Sequence, residues 1–298
     1  MDDLLRWPSL ADERAVAGEL YGEGGARLLA EWLFEQLARV DDAAFVRTFT
    51  DHVQLAGVEP DEYAHRLVSG ADGSLLAGIR FYHRDVSRPF VEVVAHTFTD
   101  LDALSDCVRA EWSAFNVRYL RTCARPGRLT GPQMVLDVSI HAARYADMAA
   151  PDGRVHLQPF TDAEDAIALV DDRYRRLAGD DPVLARNISA ADPVDIHRWH
   201  DVGQLRAVRA GDRTVGALAV APDTVSWLSG DVVQEEVIAA AHSGHGYAAA
   251  AQTVWAAERA GDRQRLLLGT IDRHNTVSRR TALRAGRPVV LERVFVRL

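Results

Sequence analysis

One segment in the second half of the chain combines carboxylates, histidines and glycines that could act on one small molecule. Gln234-Glu235-Glu236 lies in a stretch with strand character, and His242-Ser243-Gly244-His245-Gly246 follows it just before a helical pattern. A partly buried carboxylate accepts a proton near neutral pH, as a general base for an amine must. Glycines before a helix let the backbone approach an anion, which the positive end of the helix dipole stabilises. The segment therefore predicts a base beside a phosphate-binding turn.

Three side chains of this segment compete for the role of base. Because successive side chains of a strand point to opposite faces of the sheet, only one of Glu235 and Glu236 can face a cleft. Either could instead be a solvated or ion-paired carboxylate. His245 is the third candidate, although loop histidines more often face the solvent or cap a helix. The residues alone leave this choice open.

The elements around the segment form two halves with the same order. In the first half we predict two helices within residues 14–39, followed by strands 63–69, 75–82 and 89–97, helix 100–115 and strand 117–124. In the second half we predict strand 155–160, helix 162–178, hairpin 205–220, strand 232–240, helix 247–259, strand 265–271, helix 276–285 and strand 289–296. The repeated order predicts an internal repeat of two mixed α/β domains, 1–150 and 151–298, joined at the Pro/Gly-containing stretch 149–153.

Composition excludes several classes of protein. All 34 basic residues are arginine, against 43 acidic residues, and the net charge of -9 argues against a general nucleic-acid binder. The two cysteines are too few for a disulfide framework, and the pair His197 and His200 lacks a third ligand at a metal-site spacing, so we expect no metal. An acidic N-terminus and the lack of a long apolar run predict a cytoplasmic protein without a membrane span.

The turn resembles the acyl-CoA loop of the GNAT (GCN5-related) N-acetyltransferases. That motif places Gln or Arg, two residues, Gly, one residue, then Gly or Ala after the fourth strand, and Ser243, Gly246 and Ala248 occupy the three positions. His242-Ser243-Gly244-His245-Gly246 stands where many actinobacterial members read His-Arg-Gly-His-Gly. The segment 269–286, with Asn275, Ser278 and a closing glycine, is similar to the family's fifth strand and following helix. The resemblance covers about residues 155–298, and the first half suggests a degenerate copy by its order of elements alone.

The resemblance implies tandem GNAT-like domains, each a mixed, mostly antiparallel sheet flanked by helices. It implies an N-acyltransferase that moves an acetyl or other small acyl group from acyl-CoA to the primary amine of a small molecule. It slightly favours Glu235 over Glu236 as the base. The donor-binding residues that it implies are Ile238, Ser243, Gly244, His245, Gly246, Tyr247, Ala248, Asn275, Ser278 and Arg279. Trp199 and His200 precede the hairpin that often lines the acceptor pocket, and they are the expected substrate contacts.

Two departures from the family pattern keep other functions open. Ser243 stands where the family has Arg or Gln, so a pyrophosphate would depend more on backbone amides. Ala282 stands where many members have the tyrosine that protonates the leaving thiolate. A donor without pyrophosphate, such as a reduced folate that carries a formyl or formimidoyl unit, is therefore an alternative, and a binding module without turnover is another. The acceptor could belong to antibiotic biosynthesis or modification, and the protein could be a monomer or a homodimer.

Overall fold

The computed structural model describes residues 3–51, 53 and 55–298, which divide into two compact units. The first unit contains the described residues up to Asp137 together with Leu291–Leu298, and the second contains Val138–Val290. The chain passes from the first unit to the second inside a strand, and not at the stretch 149–153 where the composition places a linker.

The helices and strands, in chain order, have the following bounds. The helices are α1 (Ala11–Tyr21), α2 (Gly25–Ala38), α3 (Ala43–Thr50), α4 (Leu101–Glu111), α5 (Ala163–Asp180), α6 (Pro182–Ala185), α7 (Pro193–Asp201), α8 (Tyr247–Glu258) and α9 (Thr276–Arg284). The strands are β1 (His65–Ser69), β2 (Ser74–Phe81), β3 (Pro89–His96), β4 (Tyr119–Ala124), β5 (Met134–Arg144), β6 (His156–Gln158), β7 (Leu205–Ala210), β8 (Arg213–Val225), β9 (Leu228–Ile238), β10 (Leu266–Asp272) and β11 (Val289–Arg297). The predicted class, mixed sheets flanked by helices, is confirmed.

In the first unit the strand order is β1-β2-β3-β4-β11. Neighbours are antiparallel except β3 and β4, which run parallel through two residue pairs, Val91↔Leu120 and Glu92↔Arg121. The core of this unit packs α4 against the sheet, and its largest fully buried side chain is Trp112. Glu92 and Asp137 both accept hydrogen bonds from the Arg121 guanidinium, so the buried charges of this unit are paired with each other.

In the second unit the strand order is β5-β10-β9-β8-β7-β6. The parallel neighbours here are β9 and β10, and their register covers only Leu267↔Asp231 and Leu268↔Val232. Apolar side chains cover both faces of this sheet. Leu218 and Val220 of β8 pack in the cluster that contains Trp255 of α8, whereas Ala217 and Ala219 pack in the cluster of α5 and α7. The alternation follows the two-residue period of a strand and assigns α8 to one face and α5 with α7 to the other.

The elements that the sequence predicts are present with small shifts at their ends, and four further elements complete the units. These are helices α3, α6 and α7 and strand β5. β5 matters most, because residues 138–144 pair with β10 along its whole length. Residues 136–142 read Leu-Asp-Val-Ser-Ile-His-Ala, an alternation of apolar and polar side chains that is typical of a strand, so the signal for β5 is present in the sequence and was missed.

Candidate active site

Strand β9 carries an extra residue at the point where it leaves β10. Its register with β8 shifts between Val220↔Val233 and Ala219↔Glu235, so Gln234 has no opposite residue and forms a β-bulge. The side-chain amide of Gln234 donates through Nε2 to Asp223 Oδ2 at 2.9 Å. Pairing with β10 ends two residues before the bulge, at Val232. The two parallel strands therefore separate where Glu235 and Glu236 follow, and backbone groups of β9 become accessible there.

Glu235 faces α5 and the segment before α7. It is 8 % exposed, its Oε2 accepts the amide of Ala191 at 3.0 Å, and its Oε1 accepts the amide of Glu236 at 3.1 Å and the Tyr174 hydroxyl at 3.5 Å. Burial raises the pKa of the Glu235 carboxyl, against the opposing effect of the two backbone hydrogen bonds. These contacts tie the carboxylate to the loop between α6 and α7.

Glu236 faces the opposite side, toward α8. Both of its oxygens accept hydrogen bonds from the side-chain amide of Gln252, at 3.0 and 2.9 Å. Burial raises the pKa of the Glu236 carboxyl to about 7, although the Gln252 hydrogen bond and the Arg287 charge lower it. The side chain keeps partial solvent exposure. A carboxyl with these properties gains and loses protons near neutral pH, which suits a general base.

The turn between β9 and α8 leaves the first amides of the helix open. Gly244 and Gly246 have φ of +80° and +75°, a region that favours glycine. Gly246 is the N-cap of α8 and no side chain of the described residues caps this helix, so the amides of its first turn, at Tyr247, Ala248 and Ala249, point out of the helix. α5, α7 and α9 each have a capping Asp or Asn side chain. The backbone here fits a phosphate group without a basic loop residue.

The side chains of the turn are arranged around His245. Its Nδ1 donates to the carbonyl oxygens of Ser243, at 2.9 Å, and His242, at 3.2 Å. The ring stacks on Tyr247, with centroids 5.4 Å apart, and both Ser243 and His245 are exposed. Arg154 Nη1 donates to the His245 carbonyl at 2.9 Å. These bonds make His245 a support of the turn, and they do not bring it to Glu236.

A cavity of about 400 Å³ lies beside this turn. It is lined on α8 by Gly246, Ala249 and Thr253, and its basic side chains are Arg154 and Arg284. Arg154 also contacts Asp152, with Nε and Oδ2 2.8 Å apart. Arg154 is thus ion-paired, and Arg284 is the other basic side chain that lines the cavity.

The remaining donor-site candidates have mainly structural contacts. The Asn275 side chain accepts the Ser278 amide at 3.1 Å and caps α9, while Arg279 lies half-buried near the start of that helix. Ile238 ends β9, and its side chain contacts the β8 backbone where Gly216 leaves room. Asn275 therefore acts as the N-cap of α9.

The acceptor-site candidates Trp199 and His200 both belong to α7. Trp199 is 5 % exposed and borders a cavity of about 930 Å³. His200 does not border this cavity and contacts the Phe160 carbonyl, with Nε2 and the oxygen 3.1 Å apart. The cavity is also lined by Gln234 of the bulge and Ala191, the residue that binds Glu235, and its charged lining residues are Asp192, Asp195, Asp223 and Arg198.

Two buried side chains of the site, Gln252 and Arg287, escape the sequence reasoning. Gln252 is 1 % exposed and Arg287 2 % exposed, and Arg287 Nε donates to Gln252 Oε1 at 3.0 Å. Gln252 is the one polar side chain in Ala248-Ala249-Ala250-Ala251-Gln252, which was the available signal for it. Arg287 follows a helix-ending glycine in a chain rich in arginine, so no local pattern marks it.

Neither a cluster of metal ligands nor a membrane-spanning helix is found in the described part of the chain. No group of three or more His, Cys, Asp or Glu side chains there is arranged to hold a metal ion. None of its helices has the length and the apolar composition of a membrane span.

Comparison with known proteins identifies the fold. No family model and no curated protein matches the sequence. Among solved structures, a GCN5-related N-acetyltransferase from Sphaerobacter thermophilus is 15 % identical, with a TM-score of 0.51 over 98 % of this chain and 91 % of that one. A GNAT-family acetyltransferase from Colwellia psychrerythraea is 9 % identical, with a TM-score of 0.47 over 89 % and 96 %. The likeness to the Sphaerobacter protein extends over nearly the whole of both chains, and this chain has the fold of the GCN5-related N-acetyltransferases.

Proposed function

We propose that the second unit is an N-acyltransferase, which moves an acetyl or other small acyl group from acyl-CoA to a primary amine of a small molecule. The observation that carries this proposal is the separation of β9 from β10 after two residue pairs, with Glu236 on the separated part of β9 and the glycine turn directly after it. A proton acceptor and an anion-binding helix end are thereby attached to the same strand. The transferase fold adds to this support.

The donor is assigned on the chemistry of the turn. The open amides at the start of α8 and the positive φ of Gly246 suit a pyrophosphate, and Arg154 and Arg284 border the adjoining cavity. A folate carries no pyrophosphate and could offer these amides only the carboxylates of its glutamate tail. We therefore propose acyl-CoA as the donor.

In the transfer, Glu236 takes the proton of the attacking ammonium, directly or through one water. The amine nitrogen forms a bond to the acyl carbon and gives its second proton to solvent, the carbon–sulfur bond breaks, and the thiolate leaves. Ala282 has no proton to give and is fully buried, so the thiolate takes its proton from solvent. Backbone amides of β9 near the bulge are the groups that would polarise the acyl carbonyl. Glu235 keeps the loop before α7 in place.

Ligand-induced stabilisation tests the donor. We expect acetyl-CoA and CoA to stabilise the protein by roughly 2.7 kcal/mol at 100 times the dissociation constant. A reduced folate should have no effect. The Gly246→Leu variant should lose the stabilisation by acetyl-CoA and CoA. A side chain there would need the φ of +75° and would lie within 2.9 Å of Arg154 Nη1. Stabilisation by the folate alone, or by none of the three, would contradict the proposed donor.

Acyl transfer tests the base. Glu236→Gln should lower turnover by about 100-fold or more while it leaves CoA binding intact, since a positioned base contributes about that factor. Glu258→Gln, on the exposed face of α8, is the control and should keep full activity. Normal turnover of the Glu236→Gln variant would show that another residue is the base.

A further inference from the structure

We propose that Arg287 is a positioning residue for Glu236, and that it acts through the side-chain amide of Gln252. The proposal takes Glu236 as the base of the function proposed above. It concerns a buried chain of three side chains from three elements: β9, α8 and the segment between α9 and β11.

The three side chains are linked by hydrogen bonds in a fixed order. Arg287 Nε donates to Gln252 Oε1 at 3.0 Å, and Gln252 Nε2 donates to Glu236 Oε1 and Oε2 at 3.0 and 2.9 Å. Arg287 and Gln252 are almost completely buried, whereas Glu236 is partly exposed. The chain therefore leads from two buried side chains to the carboxylate of a partly exposed residue.

The direction of the middle link depends on Arg287. A guanidinium can only donate hydrogen bonds, whereas a glutamine amide has one donating end and one accepting end. Arg287 therefore holds the Gln252 oxygen toward itself and turns the NH2 group toward Glu236. Without Arg287 the amide could rotate and bring its oxygen against the carboxylate. A carboxylate that receives two N–H contacts has one orientation and a stabilised charged form.

The charges that face Glu236 come from two sides. Arg287 favours the charged carboxylate, and Glu235, its neighbour on β9, opposes it. His141 of β5 lies near Arg287, since its Nδ1 donates to the Arg287 carbonyl at 2.9 Å, and Arg279 of α9 is the other cation near His141. Burial lowers the pKa of Arg287 only to about 10, so this side chain stays charged near neutral pH. Arg287 is thus the permanent charge that opposes the desolvation of Glu236.

Stability does not explain the presence of this arginine. Its Nη1 has no hydrogen-bond partner among the described residues, and it lies where a β-carbon on Gly269 of β10 would approach to 2.9 Å. A buried charge with an unpaired N–H group costs free energy, and apolar side chains of similar size often replace buried charges without loss of stability. The hydrogen bond to Gln252 is the contact that the buried guanidinium makes, and it indicates a role in positioning.

Direct titration of Glu236 tests the proposal. Carbon-13 NMR of protein labelled at the glutamate carboxyl groups would follow the midpoint, with Glu236→Gln to assign the signal. We expect Arg287→Met to raise the Glu236 midpoint by about one pH unit or more, because an opposite charge is removed. Arg287→Lys, which keeps the charge and lacks Nε, should raise it by less. Arg280→Met removes an exposed charge from α9 and should leave it unchanged.

A second variant covers the case in which Arg287→Met does not fold. Gln252→Met keeps the Arg287 charge and removes the bridge, and it should also raise the Glu236 midpoint. The acid limb of the pH profile of turnover should move in the same direction in every variant that transfers acyl groups. Unchanged midpoints in Arg287→Met and Gln252→Met would overturn the positioning role. A wild-type protein that transfers no acyl group but shows these shifts would contradict the proposed function alone.

Discussion

Two adjacent glutamates of one strand have different surroundings and therefore suit different tasks. Glu235 accepts hydrogen bonds from two backbone amides and a tyrosine, so protonation would weaken contacts that hold the loop before α7. Glu236 accepts from one side-chain amide and is partly exposed. The geometry favours Glu236 as the base, whereas the family pattern slightly favours Glu235.

The raised pKa of Glu236 makes a prediction about stability. The pKa of its carboxyl is about 7 in the folded protein and 4.5 in a model compound. Between these values the folded protein keeps a proton that the unfolded chain has released, so the contribution of this residue to stability falls as the pH rises. The decrease is up to about 1.4 kcal/mol for each pH unit in that interval.

Urea unfolding of wild type and Glu236→Gln measures this effect. The free energy of unfolding of wild type, minus that of the variant, should decrease from about pH 5 to about pH 8. The comparison is made between variants because His65, whose pKa burial lowers to about 3, adds its own pH dependence to both proteins. Glu258→Gln is the exposed control. Parallel stability curves for wild type and Glu236→Gln would refute the prediction.

At the scale of elements, the starts of two corresponding helices differ. The Asp100 side chain caps α4 by accepting the amide of Asp102, which places a negative charge where an anion would bind. Gly246 at the start of α8 brings no side chain, and the amides of the first turn stay open. From this contrast we expect that the first unit does not bind the donor.

The bulge in β9 should control the separation of the strands. Deletion of Gln234 would let Val233 and Glu235 follow one another in the register with Val220 and Ala219, and the straightened strand could pair further along β10. We expect CoA affinity to fall about 10-fold or more, which corresponds to about 1.4 kcal/mol. Gln234→Ala keeps the extra residue and is the control.

Amide hydrogen exchange gives the structural readout of the deletion. The amides of β10 after Leu268, the last residue that β9 pairs with, should become better protected in the deletion variant than in Gln234→Ala. Unchanged protection together with unchanged CoA affinity would show that the bulge does not separate the strands.

Local patterns predicted those parts of the fold that have local causes. The hairpin of β7 and β8 turns at Gly211 and Asp212, residue types that mark such a turn in the sequence. In the structure Gly211 has a positive φ. The glycine turn before α8 was found for the same reason. The contacts of Glu236 with Gln252 and of Gln252 with Arg287 depend on three elements that are distant in the chain. No spacing rule reports such contacts, and the sequence left the choice of base open.

At the scale of the whole molecule, the order of elements repeats but the chain is not divided at its midpoint. Each unit contains one pair of parallel strands with a two-residue register, β3 with β4 and β9 with β10. The second unit takes the residues of β5 that pair with β10, while the last residues of the chain belong to the first unit. A boundary at residue 150 would therefore remove a strand from the unit that carries the candidate site.

This division predicts which fragment folds. A fragment of residues 134–290 keeps β5, which pairs with β10 from Leu266↔Arg144 to Asp272↔Val138. A fragment of residues 151–298 lacks β5 and exposes an edge of β10 that begins with three buried leucines. Domains are stable by only about 5–15 kcal/mol. The loss of the complete strand β5 should therefore abolish cooperative unfolding of the 151–298 fragment. Calorimetry and size-exclusion chromatography of both fragments would measure this, and a cooperative, monomeric 151–298 fragment would refute it.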